Sequence, residues 1–103
     1  VFKVVEDSMR PTLRPGDLLI ALRGGGAVRQ GQIRVFRDPT KSTRWLVKRV
    51  GDVHESTNGT IFDARSDNPN ARHASDSHDF GPVRAAGSYR VVWPPSGRAE
   101  RNR

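Results

Sequence analysis

No segment of ten or more residues in this chain keeps a helical period, and that feature narrows the fold more than any other. Glycines and prolines instead cut the sequence into short apolar-leaning runs at 1–5, 17–22, 31–36, 43–50, 59–64 and 89–93. Each has the length of a strand, so the chain is expected to be mainly β. With 103 residues there is room for one small domain, placed at 1–95. Residues 96–103, with Arg98, Arg101 and Arg103, read as a basic, disordered tail.

Period two assigns the faces. In 31–36, Ile33 and Val35 share one face, and Gln32, Arg34 and Phe36 the other. In 43–50, Leu46, Lys48 and Val50 oppose Trp45, Val47 and Arg49. The nearly continuous apolar run at 17–22 is expected to be buried. Residues 41–43 read as a turn, and Gly51-Asp52 as the end of the Lys48 strand.

The net charge of +7 suits an anionic partner. Yet the arginines are scattered without interleaved aromatics, so a solvated basic surface is the commoner reading and no nucleic acid is expected. Zero cysteines exclude a disulfide framework and a thiolate metal site. The three histidines have no metal-ligand spacing, and no metal is expected. The longest apolar run, 18–22, is far short of the roughly 20 residues that span a bilayer, and no segment reads as a signal peptide.

Two polar residues stand out against this β background. Ser8 follows the first apolar run, and Pro11, Pro15 and Gly16-Asp17 stiffen and turn the chain beyond it. Locally, a hairpin-like connection with an incidental serine is the commoner explanation. Lys48 lies between Leu46 and Val50, where a lysine ordinarily snorkels to water. Held inside instead, it would lose charge stability and fall below its usual pKa of about 10.4, leaving an amine able to take a proton.

Three blocks together are more specific. Ser8-Met9-x-Pro11-Thr12-Leu13-x-x-Gly16-Asp17 comes first, then Val47-Lys48-Arg49-Val50, then Ser66-Asp67-Asn68 with Asp76-Ser77-His78-Asp79-Phe80-Gly81-Pro82-Val83. In this order they resemble the signal peptidase I family of Ser-Lys proteases. The resemblance implies a small domain of coiled, barrel-like antiparallel sheets and a serine endopeptidase that needs no cofactor. Ser8 would be the nucleophile, with its N–H in the oxyanion hole, and Lys48 the general base. Arg49 and Asp76 would form a supporting ion pair, and Asp67, Asn68 and Ser77 would shape the third block's loop.

The implied substrate is an extended peptide segment of a precursor, bound by strand addition. Met9, Pro11, Val4, Leu19, Ile20 and Val35 are candidates for its contacts. Only nineteen residues separate Lys48 from Asp67, so the chain looks like a minimal core. In this it is similar to the mitochondrial inner-membrane proteases and the nickel-type superoxide dismutase maturation protease, which suggests removal of a leader, signal or propeptide. An upstream anchor, as in many relatives, would place the domain at the outer face of the cytoplasmic membrane, with a membrane surface as a further partner. The alternative is a soluble cytoplasmic domain. Oligomeric state is not fixed by these features.

Four departures accompany the resemblance. Glu6 stands where relatives have glycine or serine, and a carboxylate there would oppose an oxyanion. Ala74 stands where many place a serine that bonds the lysine. His78 replaces an arginine, and Ser66 and Gln32 replace members of two Gly-Asp pairs, which reads as structural. Alternative readings are a self-cleaving LexA-type domain, a degenerate peptide-binding domain and, last, a basic nucleic-acid module.

Overall fold

The computed structural model describes residues 1–70 and 76–95; the expected tail and Ala74 lie outside them. In chain order the elements are β1 (Phe2–Lys3), β2 (Leu18–Arg23), β3 (Ile33–Asp38), β4 (Lys41–Ser56), β5 (Gly59–Arg65), α1 (Ser77–Phe80), β6 (Val83–Arg84) and β7 (Tyr89–Trp93). The strands form one antiparallel sheet in the order β1-β2-β7-β3-β4-β5-β6, open at β1 and β6 rather than closed. The mainly β expectation is met, and the helix is a single turn. Among the described residues no helix is long and apolar enough to cross a membrane.

Period two along β3 divides the interior into two cores. Ile33 and Val35 join Val4, Met9, Leu13, Leu19 and Val91 in one, with Val47 packed against it. Phe36 faces the other way and meets Leu46, Val50, Phe62 and Ala64. Its ring packs edge-on to Phe62 at 5.9 Å between centroids. β3 is therefore buried on both sides, and each large apolar side chain so enclosed contributes about 1.5–3 kcal/mol.

β2 corrects the expectation of a buried strand. Leu19 is buried, but Leu18, Ile20 and Leu22 are exposed. β2 lies one strand from the sheet edge, and only its Leu19 face has a core to pack on.

β4 runs farther than expected at both ends. The turn before it falls at Pro39 and Thr40, where Asp38 Oδ1 accepts the Thr40 N–H and hydroxyl at 2.8 and 2.7 Å. Residues 41–43 already belong to the strand. Nor does Gly51-Asp52 end it. The register with β5 shifts between Val50 and Val53, and the strand continues through this bulge to Ser56. A Cβ at Gly51 would stand 3.4 Å from Arg65 Cγ and from the Asp63 carbonyl, a close but ordinary contact. The two-residue β6, paired with β5, was not foreseen.

Candidate active site

The serine loop is closed by its own backbone. Val4 N–H donates to the Asp17 carbonyl at 2.9 Å, and Gly16 N–H to the Val4 carbonyl at 2.7 Å. Gly16 adopts φ +97°, a conformation that residues with a Cβ rarely take. Inside the loop, Met9 and Leu13 are wholly buried, and Leu13 N–H bonds the Met9 carbonyl. Ser8 is thereby anchored by the residue that follows it.

The third block clamps this loop from outside. Asn68 N–H donates to the Ser8 carbonyl at 2.8 Å, and Asn68 Nδ2 to the Asp7 carbonyl at 3.0 Å. Asp67 accepts the Thr12 hydroxyl at 2.7 Å. Asp67 and Asn68 were expected to shape their own loop; Asn68 does so, its Oδ1 accepting the Asn70 N–H at 3.0 Å, and both also hold the serine loop.

Arg49 completes the clamp, with a different partner from the one expected. Its guanidinium meets Asp67 through two bonds, Nε to Oδ1 at 3.1 Å and Nη2 to Oδ2 at 2.7 Å, and donates to the Gly31 carbonyl at 2.8 Å. Asp76 is engaged elsewhere. It caps α1, accepting the His78 N–H at 2.8 Å, while Asp79 returns a bond to its backbone, and it receives a long 3.5 Å bond from Ser66 N–H. Burial pushes the Asp76 carboxyl up, but these backbone donors and nearby His78 outweigh it and hold the group below the ordinary carboxylate range. Ser77 accepts the Ala64 N–H at 2.8 Å, tying α1 to β5.

On the other face of β4, Lys48 is 1 % exposed and lines the same groove of about 340 Å³ as Ser8. Its Nζ donates to Ser66 Oγ at 2.9 Å. The Ser8 hydroxyl makes no hydrogen bond among the described residues, to Lys48 or otherwise. Desolvation pushes the Lys48 ammonium below the usual lysine range; Asp76 and Glu6 pull it back, and Arg44 adds to the lowering. Lys48 thus keeps a neutral hydroxyl partner in place of the serine absent at Ala74. Ser66, read from the sequence as a structural replacement, is the Lys48 partner the sequence missed. The Arg49↔Arg65 pairing places it one residue beyond the β4–β5 ladder and beside Lys48, a proximity that register alone creates.

Glu6 lines the groove too, with its carboxylate clasped by Arg44 Nη2 at 3.0 and 2.8 Å. The charge feared beside an oxyanion is therefore paired. Of the expected substrate contacts, Val4, Leu19 and Val35 line the groove. Met9 belongs to the core, Ile20 is exposed on the face of β2 opposite Leu19, and Pro11 is exposed on the serine loop away from the lining.

One histidine joins two aspartates in a cluster that sequence spacing had not offered. Asp52, His54 and Asp63 bring one donor atom each within 4.8 Å of one another across β4 and β5. Asp63 already meets His54 Nε2 at 3.6 Å and Arg65 at 3.5 Å, so neighbouring side chains serve its carboxylate.

The family model described as signal peptidase, peptidase S26, matches residues 1–54, which carry Ser8, Lys48 and Arg49. No curated protein and no solved structure gives a match.

Proposed function

Because this chain belongs to the signal peptidase family, peptidase S26, we propose that it is a serine endopeptidase with a Ser8–Lys48 dyad that removes a leader, signal or propeptide from a precursor. The observation that carries this reading is Lys48 itself. It is a buried amine with a lowered pKa, bonded to a hydroxyl rather than a carboxylate, in one groove with a serine whose hydroxyl is unbonded among the described residues.

In the proposed reaction neutral Lys48 Nζ takes the Ser8 proton as Oγ bonds to the peptide carbonyl carbon. The carbonyl electron pair moves to oxygen, which the Ser8 N–H would stabilise; a lost donor of this kind costs about 2.7–4 kcal/mol. When the tetrahedral species collapses the C–N bond breaks, and the Lys48 ammonium protonates the leaving amine. Water then attacks the acyl-enzyme, giving its proton to Lys48, and Ser8 leaves with a proton restored. Ser66 acts as a positioning residue that aims the amine.

An extended peptide has a place to bind. β5 pairs with β4 only from Arg49 onward, so residues 43–48 have β3 on one side and, among the described residues, no strand partner on the other. Residues 44–48 of that stretch and 2–6 from β1 and its continuation line the groove. Strand addition there would bring a carbonyl to Ser8.

The test is cleavage of precursor-derived peptides by the full chain, with Ser8→Ala and Lys48→Ala as controls and mass spectrometry for an acyl group on Ser8. Cleavage that survives chelators and disappears in both variants is expected; equal cleavage by Ser8→Ala would sink the proposal. A second reading, a peptide-binding domain without turnover, draws on the Lys48 bond to Ser66 instead of Ser8 and on Glu6 in the groove. It predicts peptide binding with no product and no gain on Glu6→Gly.

A further inference from the structure

A second groove, of about 590 Å³, shares one wall with the first: Trp45 lines both. Arginines from three strands converge on it, Arg23 from the end of β2, Arg37 from β3 and Arg84 from β6, together with Phe36 and Tyr89. No acidic residue lines it. Arg37 lies 4.3 Å over the Trp45 ring and donates to the Ser42 carbonyl at 2.8 Å. Arg23 and Arg84 are exposed and have no ion-pair partner among the described residues.

Lys3, Arg10, Arg14, Arg29 and Lys41 are also exposed without an ion-pair partner among the described residues, but they stand apart, whereas the groove gathers three arginines. Of the other cations, Arg44 has Glu6, and Arg65 has Asp63. Three uncompensated guanidinium groups around one concavity repel one another and focus a positive potential into it. Such a groove favours a ligand that brings carboxylates, because guanidinium forks pair with them bidentately. The aromatic walls favour a ligand that also brings apolar atoms. They are rigid, since Phe2, Trp45 and Tyr89 pack on one another with centroids 5.4–5.8 Å apart.

Location selects among anionic ligands. Trp45 precedes Lys48 by three residues along β4, about 10 Å at the rise of a strand. A peptide lying along residues 43–48 of β4 would pass Trp45 and meet the arginines a few residues from the cut. Concavity and continuity with a peptide groove fit a chain segment better than a flat lipid surface.

We propose that this groove is an exosite for an acidic, aromatic-containing segment of the substrate peptide, a few residues from the scissile bond. This deepens the protease reading and rests on it for the identity of the peptide. Recognition of acidic motifs by arginine clusters supplies the chemistry.

Two arms test it with the full chain. In the first, a labelled hexapeptide of Glu and Tyr, and its counterpart with Gln for Glu, are titrated into the Ser8→Ala protein, so binding is read without turnover. The acidic peptide should bind at least about tenfold tighter, and Arg23→Glu with Arg84→Glu should remove that advantage. Both positions are exposed; a milder Arg23→Gln, Arg84→Gln pair should give an intermediate loss, and the Glu pair should gain affinity for a Lys-and-Tyr hexapeptide. In the second arm, a cleavable peptide carrying the acidic segment should show a lower KM than its Gln counterpart in the unmodified chain. In the Glu pair the two should be cleaved alike.

Acidic preference in the first arm without cleavage in the second would sink the protease reading and leave the groove's ligand class standing. Equal affinity for the Glu and Gln peptides, or acidic binding indifferent to Arg23 and Arg84, overturns the exosite. So does displacement of the acidic peptide from these arginines by phosphatidylglycerol vesicles or an oligothymidine at lower concentration, which would make the ligand a lipid or a nucleic acid.

Discussion

Lys48 and Arg49 are neighbours on β4, both cations and both nearly buried, yet their surroundings treat them in opposite ways. On one face Arg49 receives a carboxylate, two-point geometry, a carbonyl and the Thr12 hydroxyl. On the other, Lys48 receives one neutral hydroxyl and is pushed toward its uncharged form. The pairing at Arg49 holds structure in place; at Lys48, with no carboxylate contact among the described residues, burial presses the amine toward its neutral form, as the proposed general base requires. A single strand supplies both because alternate side chains enter different environments.

The sharpest way to break this contrast is to replace each cation by methionine. Lys48→Met should lower cleavage on the order of 10²–10⁴-fold, as for loss of a general base, while urea unfolding shows equal or greater stability because a desolvated amine gives way to an apolar side chain of similar length. Arg49→Met should do the reverse in kind. It leaves Asp67 buried without its guanidinium and should cost about 3 kcal/mol of stability in the same urea measurement, with activity falling as the clamp on the Ser8 loop loosens.

Ser66→Ala removes the hydroxyl that aims Lys48. We expect about a tenfold fall in kcat with KM little changed, and recovery in Ser66→Thr. If Ser66→Ala cleaves like the unmodified chain, Lys48 is aimed by something other than Ser66. Asp76→Ala should be milder still, about 1 kcal/mol from loss of the α1 cap, read as a shift in the unfolding midpoint.

The smallest effects are shifts in pH dependence. Because the Lys48 pKa is lowered in the fold, kcat/KM should rise with pH through an ionisation below the ordinary lysine range. Glu6 favours the charged amine, so Glu6→Gln should move that limb to lower pH; Arg44 disfavours it, so Arg44→Gln should move it higher. The same shift has a stability consequence. Between the lowered folded pKa and the usual value near 10.4 the unfolded chain binds more protons, so stability should rise with pH there, and Lys48→Met should flatten the rise.

Much of this was legible in short-range pattern. Period two put Lys48 between Leu46 and Val50 and turned Arg49 the other way, and their separate partners, Ser66 for Lys48 and Asp67 for Arg49, agree. What could not be read were partners chosen by register. Asp67 rather than Asp76 pairs with Arg49, and Ser66 meets Lys48, because the β4–β5 ladder continues past Gly51 and aligns Arg49 with Arg65. Gly51-Asp52 looks like punctuation locally; the bulge that keeps it within a strand is a matter of register with β5, which no local pattern shows. Likewise the run at 17–22 is apolar enough for burial on both faces, but whether a second face is covered depends on which strands lie beside it.

The hairpin between β4 and β5 turns at Thr57 and Asn58, with Ser8 and Lys48 before it and Ser66, Asp67 and Asn68 after it. A cut at this turn would therefore divide the chain into one fragment holding the proposed reacting groups and another holding what aims and clamps them. Neither fragment should cleave peptide alone, whereas a mixture would do so in proportion to the halves that re-pair. The domain could then serve as a split reporter, its turnover counting encounters between any two proteins to which the fragments are fused.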